Sequence, residues 1–434
     1  MLLSKYNFFV NFQNDVIVYN SLSNKYIKMN NKAFELYFSQ TSFFDEKEKG
    51  KDANIVEMLL RGGFYVSNPN MEIRRAVDLC MSKRYDPTVF NATIIPTNEC
   101  NLNCSYCFVK RNGNFMSSQV IEASISYFQR LIESKNQKLL HFCTKWFGGE
   151  PFLRCEIIDK ISEEVIKLCD FYSIDYHAMA YSNLTILPQN IEKKLLMWRI
   201  TKINTTLDGV GADNDIRRIS KNGASHFNGI IQNICRLREH ARINIQVNID
   251  RRNLDTVQFL IEYLVENGIV DGKKVTVGFS LVNDNENIEN KHVLLGFDDD
   301  DFMRKVDSLY SILGKHASIS LPTQSLQCFA AAKNSVVVDS MGNLYKCYRE
   351  DKSNCSFGNV LDPSYTYTEA ELAFLQNNPI TKPECRECNV FPICFGGCYN
   401  MIDQSLICSK KFILEQSIKR YFRNRGDGVW TKIG

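Results

Sequence analysis

Three closely spaced cysteines are the residues best suited to chemistry in this sequence. Cys100, Cys104 and Cys107 lie within eight consecutive residues, so one short loop can direct all three thiolates to a single metal centre. A structural zinc ion takes four protein ligands, and iron–sulfur clusters usually take four cysteines. The triplet therefore favours a four-iron cluster with one iron open to a non-protein ligand. A zinc ion with a remote fourth ligand and three free thiols are the alternatives.

A glycine-rich motif follows about forty residues later, at the end of a predicted strand. Phe147 precedes Gly148, Gly149 and Glu150 there. Glycine has no Cβ, so the two glycines would allow the backbone to approach a ligand closely. Glu150 adds a hydrogen-bond acceptor beside them. The motif alone would be weak, but its position after the second predicted strand makes it a strong candidate for cofactor binding.

Together the two motifs resemble those of radical S-adenosylmethionine (SAM) enzymes. The resemblance implies that Cys100, Cys104 and Cys107 are catalytic residues that hold a four-iron four-sulfur cluster. In that family the open iron chelates the amino and carboxylate groups of SAM. An electron from the reduced cluster cleaves a C–S bond, and the resulting 5'-deoxyadenosyl radical abstracts hydrogen from the substrate.

The same resemblance assigns the contacts with SAM to residues at the ends of successive strands. They are Tyr106, Gly148, Gly149, Glu150, Ser182, Asn183 and Arg218. An arginine would bind the SAM carboxylate, because a guanidinium matches a carboxylate in geometry and charge. Arg218 matches the family spacing better than Arg217, although a slip of one residue stays open. A simple helix cap is the alternative role for Ser182 and Asn183.

Composition limits the class of protein. The chain has 434 residues, 44% hydrophobic and 23% charged, which is ordinary for a globular protein with two or three domains. The formal net charge is +3, from 52 basic and 49 acidic residues, so neither nucleic acid nor an anionic membrane is expected as a partner. The start of the chain has no signal-peptide pattern, and we expect a cytoplasmic protein.

The middle of the chain alternates strand and helix patterns six times. The candidate strands are residues 92–96, 139–147, 176–181, 203–207, 243–249 and 275–281. This alternation predicts a parallel sheet, and with the cysteine triplet after the first strand it predicts an α/β fold, a partial (β/α)6 radical SAM barrel over residues 86–316. Catalytic groups should lie at the carboxyl ends of the strands, by analogy with complete barrels.

Residues 1–85 are predicted to form a separate unit, in which three strands are followed by helices. This order resembles the winged-helix-like unit that binds precursor peptides in enzymes that modify ribosomally made peptides. In that family a leader peptide adds a strand to the edge of the sheet. The alternative is a plain N-terminal extension that covers the barrel.

Residues 317–434 are rich in cysteine, and their spacing resembles the auxiliary-cluster domain called SPASM. Sixteen cysteines in a cytosolic chain favour metal binding over disulfides. By the resemblance, Cys328, Cys347 and Cys398 would hold one auxiliary cluster, and Cys385, Cys388, Cys394 and Cys408 a second one. Cys355 would complete the first cluster, or one of its irons would be open. A zinc site formed by Cys385, Cys388, Cys394 and Cys398 is the alternative.

These resemblances imply a radical SAM enzyme that matures a ribosomally made precursor peptide bearing a leader. The expected cofactors are SAM and three 4Fe–4S clusters, with a flavodoxin or ferredoxin as electron donor. The expected product is a thioether or a carbon–carbon crosslink. Formylglycine formation in a sulfatase is less favoured, because Tyr348 occupies the place where those maturases carry an Asp. A non-catalytic zinc-binding or peptide-binding scaffold is the remaining alternative.

Overall fold

The computed structural model describes most of the chain and divides it into two compact units. The described residues are 1–38, 53–135, 138–282, 294, 300–326, 328–349, 356–362, 371–372, 375, 379–396, 409–424 and 432–433. One unit consists of residues 1–86, 319–333 and 375–434, and the other of residues 87–318 and 334–374. The predicted division into 1–85, 86–316 and 317–434 stays a prediction.

The strands, in chain order, are β1 (Leu2–Leu3), β2 (Asn7–Phe12), β3 (Asp15–Asn20), β4 (Lys25–Asn30), β5 (Tyr65–Val66), β6 (Val89–Ile94), β7 (Leu102–Cys104), β8 (His141–Trp146), β9 (Asp175–Tyr181), β10 (Ile200–Thr206), β11 (Arg218–Ser220), β12 (Arg242–Ile249), β13 (Val275–Leu281), β14 (Ser335–Val338), β15 (Asn343–Tyr345), β16 (Gly358–Asn359) and β17 (Lys432–Ile433).

The α-helices are α1 (Asn31–Phe38), α2 (Ala53–Arg61), α3 (Pro69–Arg84), α4 (Ser118–Ser134), α5 (Cys155–Phe171), α6 (Ile191–Met197), α7 (Ala212–Arg217), α8 (Phe227–Leu237), α9 (Val257–Glu266), α10 (Asp300–Leu313), α11 (Pro383–Arg386), α12 (Phe391–Cys394) and α13 (Ser409–Asn424).

A mostly parallel sheet forms the centre of the larger unit. Its strand order is β13-β12-β10-β9-β8-β6-β14-β15-β16, and the six strands from β13 to β6 are parallel to their neighbours. The prediction of a parallel α/β sheet with six strand–helix repeats is therefore confirmed. Between Cys328 and Cys347, β14 and β15 form an antiparallel hairpin. This hairpin extends the sheet, because β14 also pairs with β6.

The two faces of this sheet differ in polarity because side chains alternate along each strand. On β8, Phe142, Thr144 and Trp146 are buried, and the two aromatic residues pack with the surrounding helices in one continuous core. His141 and Lys145 point to the other face and are partly exposed. One face of the sheet therefore supplies most of the core, whereas the other is open to water or ligands.

The smaller unit contains an antiparallel sheet of β2, β3 and β4, to which β17 adds in parallel. One face packs on α1, α2 and the segment before β5, where Met29, Tyr37 and Phe64 are buried. The other face packs against α13 through Ile418 and Phe422. The C-terminal helix α13 is thus packed on the sheet. No helix was predicted for residues 69–84, where the structure has α3.

Candidate functional site

The cysteine loop is held in place by a short β-ribbon that the sequence did not predict. Strand β7 pairs with β11 in antiparallel fashion, and the register sets Cys104 opposite Arg218. Beyond the ribbon, the Ser105 N–H donates to the Arg217 carbonyl at 3.0 Å. The loop that carries the three cysteines is therefore bonded to the segment that carries the predicted carboxylate-binding arginine.

The three cysteines line one cavity with a volume of about 240 Å³. Burial raises the pKa of Cys100 to about 11 and also raises the pKa of Cys104, so both would be neutral thiols without a metal. Metal ligation requires thiolates, so binding of a cluster would release protons.

The distances between the three sulfur atoms indicate whether they could bind a single metal ion or a cluster. Among the described residues, the sulfur atoms of Cys100, Cys104 and Cys107 do not all lie within 4.8 Å of one another. Ligands of one tetrahedral zinc ion would be about 3.8 Å apart, given Zn–S bonds of about 2.3 Å. A cluster binds each thiolate through a different iron and needs a wider spacing. The three sulfur atoms are therefore not spaced for one tetrahedral zinc ion.

Gly148 and Gly149 are required by a close approach of the protein's own backbone. A Cβ on Gly149 would lie 2.0 Å from the Glu99 carbonyl oxygen, and one on Gly148 would lie 2.3 Å from that of Thr97. Gly148 also has a φ of +129°, which side-chain-bearing residues rarely adopt. The two glycines thus allow the end of β8 to pack against the segment that leads into Cys100. Both also line the cavity.

Glu150 is fully buried and bonds to the protein main chain. Its carboxylate accepts hydrogen bonds from the Phe152 N–H at 3.1 Å and from the Asn183 N–H at 2.7 Å. Burial raises the pKa of Glu150 to about 7, although these bonds act in the opposite direction. The side chain therefore links the ends of β8 and β9. Its predicted contact with SAM stays a prediction.

Ser182 and Asn183 lie at the carboxyl end of β9 and line the cavity. Asn183 Nδ2 contacts the Cys100 sulfur at 3.6 Å and donates to Asn101 Oδ1 at 2.9 Å. The Ser182 hydroxyl accepts from the Leu184 N–H at 3.1 Å. Leu184 has a φ of +56° and no helix begins at these residues, so they stabilise a turn rather than cap a helix.

Tyr106 is the centre of a buried polar network beside the cysteines. Its hydroxyl donates to the carboxylate of Asp208. It accepts hydrogen bonds from Arg218 Nη1 at 3.0 Å and from Asn248 Nδ2 at 3.3 Å. Burial, and then the charge of Asp208, hold the pKa of Tyr106 well above its usual value, so the phenol stays protonated. Tyr106 thereby positions the Arg218 guanidinium at the cavity.

Arg217 and Arg218 are neighbours with different surroundings. Arg218 lines the cavity, whereas Arg217 pairs with Asp250 at 2.9 Å and donates to the Asn248 carbonyl at 3.2 Å. Burial alone would lower the pKa of Arg218, but Cys104, Tyr106 and Asp208 raise it above its usual range. Arg218 is thus a fixed cation at the cavity wall.

Unpaired polar atoms in this cavity test whether a ligand such as SAM suits it. Arg218 Nε and Asn204 Nδ2 are buried and have no hydrogen-bond partner in the described part of the chain. A buried donor without a partner costs about 1–3 kcal/mol. A ligand with carboxylate and hydroxyl oxygens would satisfy such donors. The donor set, three thiols beside a buried guanidinium, suits a cluster that binds SAM.

Sequence reasoning missed several residues of the cavity. Asn204 and Thr206 come from β10, Asn248 from β12, and Arg349 follows the β14–β15 hairpin. The three strand residues point to the open face of the sheet near its carboxyl end, where alternation of polar and apolar side chains could have identified them. Nothing in the sequence near Arg349 pointed to the cavity.

A cluster of aromatic side chains lies between this cavity and a second one of about 320 Å³. Phe108, Phe147 and Tyr348 are in mutual ring contact, at centroid distances of 4.6–6.2 Å. Lys145 Nζ lies 5.6 Å from the ring of Tyr348 and 5.6 Å from that of Tyr181. The second cavity is lined by this aromatic cluster and by Asp339, Cys347 and Arg349, among others. Both apolar and charged side chains thus lie next to the candidate SAM cavity.

The cysteines of the predicted auxiliary clusters are distributed over both units. Cys385, Cys388 and Cys394 lie together in the smaller unit, on and around α11 and α12, where the Cys388 N–H donates to the Cys385 carbonyl at 3.1 Å. Cys328 belongs to the same unit and Cys347 to the larger one. Cys355, Cys398 and Cys408 lie outside the described residues. Both ligand sets stay predictions.

Comparison with known proteins finds a family match over the part of the chain that forms this site. Residues 94–292 match the model of the Radical SAM superfamily. The match covers the parallel strands β8, β9, β10, β12 and β13, the cysteine triplet and every predicted SAM contact. Fold, site and match together support a radical SAM domain, with SAM and a 4Fe–4S cluster as its cofactors.

Individual relatives are distant. An uncharacterized protein of Methanocaldococcus jannaschii is 25% identical over 275 residues, 61% of this chain and 87% of that protein. A 7,8-dihydro-6-hydroxymethylpterin dimethyltransferase of the same organism is 24% identical over 237 residues, 54% of this chain and 44% of that enzyme. The solved structure of anSMEcpe with bound AdoMet has a TM-score of 0.59 at 20% identity, covering 78% of this chain and 96% of that one. This last similarity shows the fold. Within the described residues, all helices are too short or too polar to cross a membrane.

Proposed function

We propose that this protein is a radical SAM enzyme that modifies a peptide. The observation that carries the proposal is the convergence of Cys100, Cys104, Cys107 and Arg218 on one cavity at the carboxyl ends of the parallel strands. Bound there, a 4Fe–4S cluster and SAM would supply a radical able to abstract hydrogen from a substrate. The proposed modification is a thioether or a carbon–carbon crosslink.

The protein's own residues would bind and orient the cofactor. The three cysteines would hold the cluster, and Arg218, kept in place by Tyr106, would bind the SAM carboxylate. Gly148 and Gly149, with Ser182 and Asn183, would form the wall along which the rest of SAM lies. Buried groups that are fixed before binding lose little entropy when the ligand arrives, so such a site favours one orientation of SAM.

Two observations support a peptide as substrate. The similarly folded anSMEcpe has been solved with bound AdoMet and a Cp18Cys peptide. In the smaller unit, β4 is an edge that accepts an added strand, since Lys432 and Ile433 of β17 pair with it. A groove of about 520 Å³, lined by residues 24–27 and by Asn54, Glu57, Met58 and Arg61 of α2, lies on this unit. Strand addition at such an edge is a common way to bind an extended peptide. We propose that a leader peptide binds in this groove and adds a strand to β4 in place of β17.

The aromatic cluster is the proposed contact surface for the reacting part of the peptide. Phe108 follows Cys107 and Tyr348 follows Cys347, so the cluster connects the loop of the radical site with a predicted auxiliary ligand. Tyr348 occupies the position where sulfatase maturases carry an Asp, and here its ring packs on Phe147 with centroids 4.6 Å apart. An aromatic surface suits an apolar substrate side chain, whereas proton removal would need a carboxylate at this position. This supports crosslink formation over formylglycine formation.

We also propose two auxiliary 4Fe–4S clusters, which the cysteine sets predicted from the sequence would hold. They would accept the electron left on the product radical or bind the substrate, and a flavodoxin or ferredoxin would reduce the first cluster. Three four-iron clusters correspond to about twelve iron and twelve sulfide ions per chain. Two zinc ions with little sulfide would instead support a non-catalytic scaffold.

The test uses the full chain with its clusters reconstituted in the absence of oxygen. It is incubated with dithionite, SAM and short peptides encoded beside its gene, and the products are analysed by mass spectrometry. We expect 5'-deoxyadenosine together with a loss of two hydrogens from one peptide. Nucleoside formation with every peptide unchanged would contradict the proposed substrate, and no nucleoside from iron-replete protein would contradict the enzyme itself.

A further inference from the structure

A second group of ligand-type side chains lies away from the cysteine cavity, at the amino ends of β8 and β9. His141 begins β8, and Asp175 and His177 lie on β9. The parallel register sets His141 beside Asp175 and Cys143 beside His177, so all four residues share the open face of the sheet. The three histidine and aspartate side chains are about half exposed.

The ligand atoms of these side chains converge on one point. The Asp175 Oδ2 atom lies 2.8 Å from His177 Nε2 and 3.5 Å from His141 Nδ1. One ligand atom from each of the three side chains lies within 4.8 Å of those of the other two. Around a tetrahedral ion with metal–ligand bonds of about 2.0 Å, ligand atoms would be about 3.3 Å apart. The two shorter separations bracket this value. We infer that His141, Asp175 and His177 bind a divalent transition-metal ion such as Zn²⁺ or Co²⁺.

Hydrogen bonding alone is a weaker account of the arrangement. Exposed ion pairs contribute about 0–1 kcal/mol and rarely justify ordering several side chains. Here two imidazoles converge on one carboxylate oxygen, with their rings nearly parallel at an interplanar angle of 19°. A metal ion explains the convergence, because all three side chains would bind it at once.

The donor types select the class of metal. Two imidazoles and one carboxylate suit Zn²⁺, Co²⁺ or Fe²⁺, whereas Mg²⁺ and Ca²⁺ prefer sites built of oxygen atoms only. Because the ligands lie on adjacent strands, their backbone positions are fixed by the sheet. Three protein ligands also leave coordination positions open to water or to an oxygen-bearing ligand.

The proposed site is separate from the radical site. Phe147, which lines the cysteine cavity, lies six positions after His141 along the chain, which corresponds to about 20 Å at a rise of about 3.3 Å per residue. None of its three ligands lines the cysteine cavity. The proposed metal site therefore does not depend on the proposed peptide chemistry.

Co²⁺ titration of the cluster-reconstituted protein tests the site. The wild type is compared with the His141→Gln/His177→Gln double variant, and His240→Gln serves as a control because His240 is also exposed but lies outside the group. We expect the wild type and the control to bind one Co²⁺ more than the double variant does, with the weak visible bands of nitrogen and oxygen ligands. The isosteric Asp175→Asn variant should bind this ion at least tenfold more weakly.

Two results would overturn the inference. One is equal Co²⁺ stoichiometry in the wild type and the double variant. The other is that the wild type binds Co²⁺ only with the intense charge-transfer bands of thiolate ligands, which would assign the metal to cysteines. Since both histidines are half exposed, the double variant should fold, and its far-UV circular dichroism and iron content check this. If the double variant does not fold, the Asp175→Asn variant provides a second test.

Discussion

Replacing Arg218 or Arg217 singly by lysine tests which of the two adjacent arginines binds the cofactor and which only stabilises the surrounding structure. Arg218 lines the cysteine cavity and keeps a buried Nε without a partner in the described residues, whereas Arg217 is paired with Asp250. We expect Arg218→Lys to weaken SAM binding, because an ammonium cannot reproduce the planar fork that a guanidinium offers to a carboxylate. Arg217→Lys should leave SAM affinity within about threefold of the wild type, because it changes a group outside the cavity.

The magnitude follows from the bonds lost. A hydrogen bond to a charged group contributes about 1.5–3 kcal/mol, and each 1.4 kcal/mol corresponds to a tenfold change in affinity. Loss of one such bond corresponds to about a 10- to 150-fold weaker Kd, and the charge retained by lysine favours the lower end. Arg217→Lys should instead lower the melting temperature, since the fully buried Asp250 would lose its hydrogen bond from the Arg217 guanidinium.

Equilibrium dialysis of labelled SAM against anaerobically reconstituted protein measures both variants. Iron and sulfide content must equal that of the wild type, since Arg218 lies opposite Cys104 in the ribbon. Equal affinities in the two variants, or a larger loss in Arg217→Lys, would refute the assignment of Arg218 to the SAM carboxylate.

Three further substitutions test the support of the site and its substrate contacts. Gly149→Ala should lower both the melting temperature and iron retention, because its Cβ would lie 2.0 Å from a backbone oxygen and overpacking costs about 1–3 kcal/mol; Gly229→Ala, whose Cβ would meet nothing within 4 Å, is the matched control. Glu150→Gln should destabilise the fold by about 1–3 kcal/mol in thermal unfolding, because the amide nitrogen cannot accept one of the two main-chain bonds; an unchanged melting temperature would contradict this. Tyr348→Ala should slow peptide modification at least tenfold while leaving 5'-deoxyadenosine formation without peptide unchanged, and a parallel loss of both would argue against a role in substrate contact.

The sequence predicted the elements of the barrel well because their patterns are local. Strand β13, predicted at 275–281, is observed as Val275–Leu281, and β12 begins only one residue before its predicted start. Alternating or continuous apolar residues specify such strands directly. The long helix α3 was missed because its apolar face is narrow, with only Ala76 and Cys80 as buried apolar residues on it.

The sequence was enough to predict which residues form the site, but not how they are arranged in space. The cysteine triplet and the Gly148–Glu150 motif were visible as short-range patterns. The network around Tyr106 was not, because Asp208 and Asn248 lie 102 and 142 residues away in the sequence. The backbone approach that requires Gly149 depends on how the segment before Cys100 folds back on β8. Contacts of this range depend on the tertiary fold and leave no local signature.

Reductive cleavage of SAM tests the central claim most directly. The full chain and its Cys104→Ala variant are reconstituted without oxygen, reduced with dithionite and supplied with SAM, and 5'-deoxyadenosine is quantified by mass spectrometry. We predict that the wild type forms the nucleoside and that the variant forms none, while the melting behaviour of its smaller unit is preserved. Persistent formation in the variant, or none in an iron-replete wild type, would contradict the assignment of the triplet as a cluster that binds and cleaves SAM.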